Sequence, residues 1–476
     1  MKKISTRLAT LLAIALSIVC PAALADETAA ESSTSSKFSV NFNERVGELK
    51  PLNGVNLWAK FSRVTLEDYQ EYAEACHFST VRLHDAPWDN EGMRLVDVHQ
   101  IFGNLNADPS DPNNYYFEPT DDYIANILRG GAIPIYRLGT SIEHTERKYF
   151  AKKPQDAAKY AEICAGIVRH YNKGWANGKE WNLQYWEIWN EPNLVPQMWD
   201  DPDWNSYIDF YITVAKRLRA EFPEIKIGGP ALTHPGYDMI KQLAERCKSE
   251  NAPLDFVSWH FYAKTPEQLI DPPYKMREIL DAAGFPNAEL HINEWHYFPT
   301  EWSVVHGTNG GSEAKRELGT SPEGLHGAEA CAFIELVLTR WQDGPLTMSN
   351  YYAFGLDTWG LIDIVGKLRP TYYALRSFGE QIHNAPYRVK TTDPGGNISL
   401  LGSVNAAGDV KTLLVAHYKQ DDPQPITIKL EGVSSEGEVT IQQIDYDHDY
   451  VETKMSYSHG VITLVPQKSS VFFIHF

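Results

Sequence analysis

The fold is decided by one stretch of the chain, Tyr185-Trp186-Glu187-Ile188-Trp189-Asn190-Glu191-Pro192-Asn193. An apolar run ends there in Asn-Glu-Pro, and proline cannot continue a strand inside a sheet. We therefore expect a buried strand with Glu191 at its carboxyl end. A second stretch, Glu289-Leu290-His291-Ile292-Asn293-Glu294-Trp295-His296, has the same form, with Glu294 at the end of an apolar strand.

Short apolar runs alternate with amphipathic stretches on both sides of these segments. Helical periodicity is found at 65–76, 120–129, 156–171, 204–221, 237–249 and 327–341. Eight strands alternating with helices predict the α/β class and a closed (β/α)8 TIM barrel over residues 38–378. A doubly wound sheet, the alternative, would have a Gly-rich phosphate loop after the first strand, and Trp58-Ala59-Lys60-Phe61 does not resemble one. The predicted strands are 53–57, 79–83, 132–137, 184–189, 225–229, 254–259, 289–292 and 347–353.

The last part of the chain has a different pattern. Residues 379–476 contain short strand-like runs separated by Gly, Pro, Asn and Asp, which is typical of a smaller antiparallel β-sandwich domain. Residues 38–45 begin with alternating apolar side chains and could add a strand to that sandwich. The predicted strands are 397–404, 410–418, 426–430, 438–445, 461–465 and 471–476.

The amino terminus resembles an export signal. Lys2, Lys3 and Arg7 precede an apolar run at 8–19, and small residues follow at Ala23-Leu24-Ala25. We interpret residues 1–25 as a signal peptide that is cleaved near Ala25, which predicts a periplasmic or extracellular protein. Residues 26–37 are rich in Ser, Thr and Ala, and we expect a flexible tether there.

Composition narrows the possible functions. The 476 residues contain 62 acidic and 43 basic side chains, and the net charge of −19 argues against binding to nucleic acid. No later stretch has the apolar length of a membrane span. Neither a CxxC pair nor EF-hand spacing is present, so we expect no metal and no cofactor. Buried free thiols are expected, although export would permit one disulfide, at the cysteines that remain after cleavage: Cys76, Cys164, Cys247 and Cys331.

The two strand-end glutamates indicate a chemistry. Catalytic residues of β/α barrels lie at the carboxyl ends of the strands, and the fourth and seventh strands stand roughly opposite each other across the mouth. Glycoside hydrolysis needs one carboxyl group that holds a proton and a second that is ionised, which Glu191 and Glu294 could supply. A non-catalytic glycan-binding barrel is an alternative. A metal-dependent hydrolase would need clustered histidines, and the histidines here are dispersed.

The segment Trp186-Glu187-Ile188-Trp189-Asn190-Glu191-Pro192-Asn193 resembles the acid/base motif of glycoside hydrolase clan A. It is most similar to that of glycoside hydrolase family 39, the family of β-xylosidases and α-L-iduronidases. The resemblance covers most of residues 45–380. It extends to Val81-Arg82-Leu83-His84, Trp199-Asp200-Asp201, Ile227-Gly228-Gly229-Pro230-Ala231, Asp255-Phe256-Val257-Ser258-Trp259-His260-Phe261-Tyr262 and Arg369-Pro370-Thr371-Tyr372-Tyr373-Ala374-Leu375.

The resemblance implies a retaining β-glycosidase with Glu191 as the acid/base and Glu294 as the nucleophile. Asn190 would bind the sugar 2-hydroxyl, and His260 and Tyr262 would line the site. The Tyr262 hydroxyl would keep Glu294 ionised, while the charge of Glu294 would help to raise the pKa of Glu191.

The same resemblance implies supporting residues and a substrate. Arg82 would lie beneath the site and hold Asn190 and Glu294, and His84 would reach sugar hydroxyls. A β-xyloside is the first expectation for the carbohydrate substrate, and the oligomeric state stays open. An aromatic platform for the sugar is expected at one of Tyr351, Tyr352, Phe354 and Trp359.

Some positions depart from the family pattern. Asn293 stands before Glu294, where threonine is more usual. The third strand ends with Arg137, which strand alternation aims inward. Arg137 could bind an anionic sugar, which would make a uronic-acid-containing glycan the alternative substrate, or it could form an internal salt bridge. Insertions at 87–119 and 298–324 follow barrel strands, so we expect them to shape the cleft.

Overall fold

The structure is a computed structural model that describes residues 37–59, 61–62, 67–87, 94–143, 145–306, 311–355 and 357–476. The predicted signal peptide and nearly all of the predicted tether lie outside the described residues. Within the described ranges, no helix combines the length and the apolar character needed to cross a membrane. The described residues from 37 to 476 form one compact unit.

Eight parallel strands close into a barrel, which confirms the predicted fold class. The barrel consists of eight strands, β2 and β5–β11, whose ranges are given below. Each of these strands pairs with the next one along the chain, and the last, β11, closes the barrel by pairing with β2. The strands from the amino terminus to the end of the barrel are β1 (Phe38–Glu48), β2 (Gly54–Asn56), β3 (Phe61–Ser62), β4 (Glu67–Asp68), β5 (Thr80–Leu83), β6 (Ile133–Leu138), β7 (Tyr185–Ile188), β8 (Lys226–Leu232), β9 (Phe256–Ala263), β10 (Glu289–Tyr297) and β11 (Met348–Tyr351).

Helices surround the barrel and bury their apolar faces against it. The helix α4 shows how the sequence sets the ends: the Asp156 side chain accepts a hydrogen bond from the Lys159 backbone N–H, and Gly174 ends the helix in the left-handed conformation. The helices are α1 (Gln70–Ala75), α2 (Val98–Ile101), α3 (Glu118–Arg129), α4 (Ala157–Lys173), α5 (Trp204–Glu221), α6 (Tyr237–Ser249), α7 (Glu267–Ile270), α8 (Pro272–Ala282), α9 (Trp302–His306), α10 (Gly311–Thr320), α11 (Ala328–Arg340) and α12 (Pro370–Asn384).

The remaining strands form a second sheet in the order β17-β16-β19-β14-β13-β12-β1-β15-β18. One face of this sheet encloses its own apolar core, and the other packs on α11, which joins it to the barrel. The amino-terminal strand β1 belongs to this sheet, as the sequence suggested. The strands are β12 (Tyr387–Thr391), β13 (Ile398–Val404), β14 (Lys411–His417), β15 (Ile426–Glu431), β16 (Gly437–Ile444), β17 (Asp449–Tyr457), β18 (Val461–Leu464) and β19 (Ser470–His475).

Four details differ from the expectation. The second sheet is mixed, because β1 pairs in parallel with β15. Two strands of this sheet, β12 and β17, were not predicted, and the side chains of β17 are mostly exposed and carry no apolar alternation. The helix expected at 65–76 begins only at Gln70, and Glu67–Asp68 instead pairs with Phe61–Ser62. The strand that carries Glu294 continues to Tyr297, because β9 pairs with it over that length.

The four cysteines Cys76, Cys164, Cys247 and Cys331 are buried and unpaired.

Candidate active site

Glu191 projects into the barrel mouth because the backbone turns sharply after β7. Trp189 and Glu191 both have positive φ, at 74° and 46°, a conformation that is uncommon for side-chain-bearing residues and that reverses the chain here. The Glu191 backbone N–H donates to the carbonyl of Ala231 at the end of β8, at 2.9 Å. Pairing with the neighbouring strand therefore holds the turn in place.

Glu294 reaches the same space through a bulge in β10. Against β9 the pairing passes from Ile292 opposite Trp259 directly to Glu294 opposite His260, so Asn293 is the extra residue. A bulge of this kind redirects side chains. The Asn293 side-chain amide donates to Glu187 below the site, which gives a structural reason for the unusual asparagine.

Arg82 on β5 holds three groups from beneath. Its Nε donates to Glu187 Oε2 at 2.8 Å, its Nη1 to Glu294 Oε2 at 3.2 Å, and its Nη2 to Asn190 Oδ1 at 2.7 Å. Neither Arg82 nor Glu187 has any side-chain exposure. Ser258 also donates to Glu187, at 2.6 Å. The sequence-predicted residues Arg82, Asn190 and Glu294 therefore lie in one buried network.

His260 and Tyr262 stand on β9, between the two carboxylates. The Tyr262 hydroxyl donates to Glu294 Oε1 at 2.6 Å, and His260 Nδ1 shares a hydrogen bond of 2.8 Å with Glu191 Oε1. One oxygen of Glu191, one of Glu294 and one His260 nitrogen all lie within 4.8 Å of one another. This trio could hold a metal ion, but an ion there would occupy the space between the two carboxylates.

The environments of the carboxylates differ. Burial raises the pKa of Glu191 to about 7. The positive charge of Arg82 acts in the opposite direction, and the carboxylate of Asp85 raises the pKa further. Repulsion between Glu191 and Glu294, the expected contribution, adds to the raised pKa of Glu294. Burial also raises the pKa of Glu294, although His260, Arg82 and the Tyr262 hydroxyl favour its ionised form. Burial by itself would raise the pKa of Glu187 as well. The charge of Arg82 and the hydrogen bond from Ser258 have a larger effect than burial, so the pKa of Glu187 is lowered.

Three residues line the opposite wall of the mouth. Asp85 follows β5, and its Oδ2 accepts a hydrogen bond from the Tyr352 hydroxyl at 3.2 Å. His84 Nε2 lies 3.5 Å from the same oxygen. The His84 ring is buried, and burial together with the charges of Arg82 and Arg137 lowers its pKa well below the usual value. His84 is therefore neutral beside the Asp85 carboxylate.

Arg137 does not meet a ligand at the cleft surface. Its side chain has no exposure and pairs with Asp97, which the first insertion supplies, while Ser141 lies at 3.3 Å. The internal salt bridge is thus the arrangement that the structure contains, and the anionic-sugar role suggested for Arg137 is not supported. The inward direction expected from strand alternation is correct, but sequence could not reveal that Asp97 folds back to meet it.

The aromatic candidates divide into two kinds. Tyr351 and Phe354 are core residues, with 0% and 3% exposure. Tyr352 and Trp359 are half-buried, and the Trp359 ring lies 5.2 Å from that of Tyr262. Trp302, from the second insertion, adds a ring 4.9 Å from Tyr262 and is 45% exposed.

Sequence reasoning missed Glu187, Asp85 and Trp302. Glu187 left a signal, because it is the only charged residue within the apolar strand β7. Asp85 follows directly after the predicted strand and the candidate His84, so its position marked it as well. Trp302 lies inside an insertion with no strand-end context, and its contact with Tyr262 is a tertiary one.

Two carboxylates that face each other across the mouth of a parallel barrel are the arrangement of a glycoside hydrolase. The family model of glycosyl hydrolases family 39 matches residues 47–287, and the chain belongs to this family. It is therefore a glycosidase of clan A, as the sequence motifs predicted.

Individual relatives agree with this membership. A β-xylosidase from Caldicellulosiruptor saccharolyticus is 21% identical over 453 residues, which cover 86% of this chain and 85% of that protein. A β-xylosidase from Geobacillus stearothermophilus is 28% identical over 173 residues, but the match spans only 33% of this chain and 34% of that protein. The crystal structure of a glucosidase from Croceicoccus marinus has a TM-score of 0.74 at 19% identity and covers 92% of this chain and 98% of that one.

Proposed function

We propose that this protein is a retaining β-glycosidase that hydrolyses β-xylosides by double displacement. One observation carries the proposal: an oxygen of Glu191 and an oxygen of Glu294 lie within 4.8 Å of each other. Inverting enzymes keep their carboxyl groups about 6.5–9.5 Å apart to admit a water, whereas retaining enzymes bring them to about 5–5.5 Å. The close pair supports direct attack by a carboxylate.

The proposed reaction assigns one step to each carboxyl group. Glu294 attacks the anomeric carbon while Glu191 donates its proton to the glycosidic oxygen, so the bond to the leaving group breaks and a glycosyl–Glu294 ester forms. Glu191, now ionised, then takes a proton from water, and the water oxygen displaces Glu294. The raised pKa of Glu191 keeps its proton available near neutral pH.

Neighbouring residues support the ester-forming carboxylate. The Tyr262 hydroxyl and Arg82 both donate to Glu294, which favours the ionised nucleophile. Asn190 precedes Glu191 and is held by Arg82, which supports the sugar 2-hydroxyl contact that the family resemblance implies for it. The half-buried rings of Tyr352 and Trp359 offer apolar surface for a sugar face.

The choice of β-xyloside rests on similarity to the two β-xylosidases, and the neutral sugar is favoured because Arg137 is committed to Asp97. Cleavage of the predicted signal peptide at 1–25 would deliver the enzyme to the periplasm or the exterior, where oligosaccharides are encountered. A non-catalytic glycan-binding role is less well supported, because Glu191 and Glu294 have different protonation environments suited to different steps.

The test follows the anomer that is released. Proton NMR of p-nitrophenyl β-xyloside hydrolysis should show β-xylose first, with α-xylose appearing only by mutarotation. Glu294→Ala should abolish turnover, while Glu278→Ala, an exposed glutamate on the outer helix α8, should leave it unchanged. Initial release of α-xylose, or activity that survives Glu294→Ala, would contradict the mechanism.

A further inference from the structure

Asp85 is a third carboxylate at the barrel mouth that the proposed mechanism does not use. It follows the second barrel strand, β5, and has φ of 52°, a left-handed conformation that aspartate tolerates better than most residues. Its Oδ2 already accepts from Tyr352 and lies near His84. Its Oδ1 is buried and has no hydrogen-bond partner among the described residues.

A buried carboxylate oxygen without a donor is costly, so a ligand that supplies a donor is favoured there. Sugar hydroxyls are such donors, and Asp85 stands on the same mouth as Glu191 and Glu294. Each barrel arginine already faces a carboxylate, since Arg82 binds Glu187 and Arg137 binds Asp97 through Nη2. The other two Arg137 nitrogens are fully buried and have no partner among the described residues. A carboxylate on the sugar would therefore meet the negative charge of Asp85.

We propose that Asp85 accepts a hydrogen bond from a hydroxyl of the bound glycone and selects a neutral sugar over a uronate. This inference rests on the proposed function, because it assigns the substrate class of the same site. Asp85 has a second effect on the reaction. The charged groups around Glu191 are Arg82 and Asp85 from β5 and its end, Glu294 from β10 and neutral His260 from β9. The carboxylate of Asp85 adds to the raised pKa of Glu191, and Glu191 and Glu294 also repel each other.

The experiment compares wild type, Asp85→Asn and the control Asp422→Asn, which removes an equal charge from an exposed loop of the second sheet. Hydrolysis of p-nitrophenyl β-xyloside and β-glucuronide gives the ratio of kcat/KM values. Calorimetric Kd values for xylose and glucuronate provide a readout that needs no turnover. The pH profile on the xyloside reports the proton on Glu191.

In wild type, we expect xylose to bind and react better than glucuronate. Asp85→Asn should lower kcat/KM on the xyloside about 10- to 100-fold, the loss of one hydrogen bond to a charged group. The same change should lower the ratio of kcat/KM on the xyloside to kcat/KM on the glucuronide by at least about tenfold. It should also move the alkaline limb of the pH profile to lower pH, because it removes a negative charge that helps Glu191 to keep its proton.

The inference is overturned if Asp85→Asn and the control Asp422→Asn have the same Kd values and the same ratio of kcat/KM on the two glycosides. It is also overturned if the wild type prefers glucuronate or if neither sugar binds. Binding that follows the expected pattern without any hydrolysis would instead overturn the proposed enzymatic function and leave the assignment of Asp85 in place.

Discussion

The buried pair of Arg82 and Glu187 is the part of the site whose energetic role can be tested most directly. Glu187→Gln removes the charge but keeps an oxygen that can accept from Arg82 Nε, which now lies 2.8 Å from the carboxylate. Breaking a fully buried ion pair by neutralising one partner costs about 3–5 kcal/mol. Because glutamine retains one acceptor, we expect the free energy of unfolding to fall by about 3 kcal/mol.

That loss converts into a measurable temperature shift. At about 2.1 cal/mol/K per residue, roughly 440 residues give an unfolding entropy near 0.9 kcal/mol/K, so Tm should fall by about 3 °C. The assay is urea and thermal unfolding followed by tryptophan fluorescence, which reports the barrel, and by near-ultraviolet circular dichroism, to which the tyrosines of the second sheet also contribute.

The control is Glu162→Gln, which removes an equal charge from a pair with Arg217 on the helix surface. That pair has two hydrogen bonds, whereas Arg82 contacts Glu187 through one. Glu162 is 45% exposed, so that change should cost no more than about 1 kcal/mol. If Glu187→Gln costs no more than the control, Arg82 is not held by charge, and our account of how Asn190 and Glu294 are positioned is wrong.

Three further changes test other groups. Because the pKa of Glu191 is about 7, kcat/KM should decline above pH 7 by about tenfold per unit, and a plateau to pH 9 would exclude Glu191 as the acid. Tyr262→Phe should lower kcat/KM about 10- to 100-fold through loss of the hydrogen bond to Glu294, with an unchanged circular dichroism spectrum as the control. Glu335 is fully buried, and its carboxyl oxygens have no partner among the described residues, so Glu335→Met should raise the free energy of unfolding by about 1–3 kcal/mol. Burial raises the pKa of Glu335 in the folded state, so the wild-type protein loses free energy of unfolding as pH rises above the unfolded-state pKa of about 4.3. The increase in the free energy of unfolding produced by Glu335→Met should therefore be larger at pH 7 than at pH 4. Equal increases at the two pH values would contradict this.

Local sequence was sufficient for the barrel and for the two carboxylates. Apolar runs of strand length, each followed by an amphipathic stretch, leave few architectures other than a closed parallel barrel. Pro192 marks the end of β7, and strand order then places Glu191 and Glu294 across the mouth from each other. These features depend on periodicity and chain order, which a single sequence contains.

Contacts between distant segments were decided only by the tertiary structure. Whether Arg137 faces a ligand or a partner depends on Asp97, 40 residues earlier, folding back to meet it. The bulge at Asn293 likewise depends on how β10 pairs with β9. The charge that Asp85 adds near Glu191 depends on the approach of segments that follow two different strands. The sequence by itself did not determine the end of β10, which continues past Glu294 to Tyr297. It did place Glu191 and Glu294 in or just after apolar strand segments, because that is a local property of the chain. The partners of those residues depend on distance in space, and only the folded barrel fixes that distance.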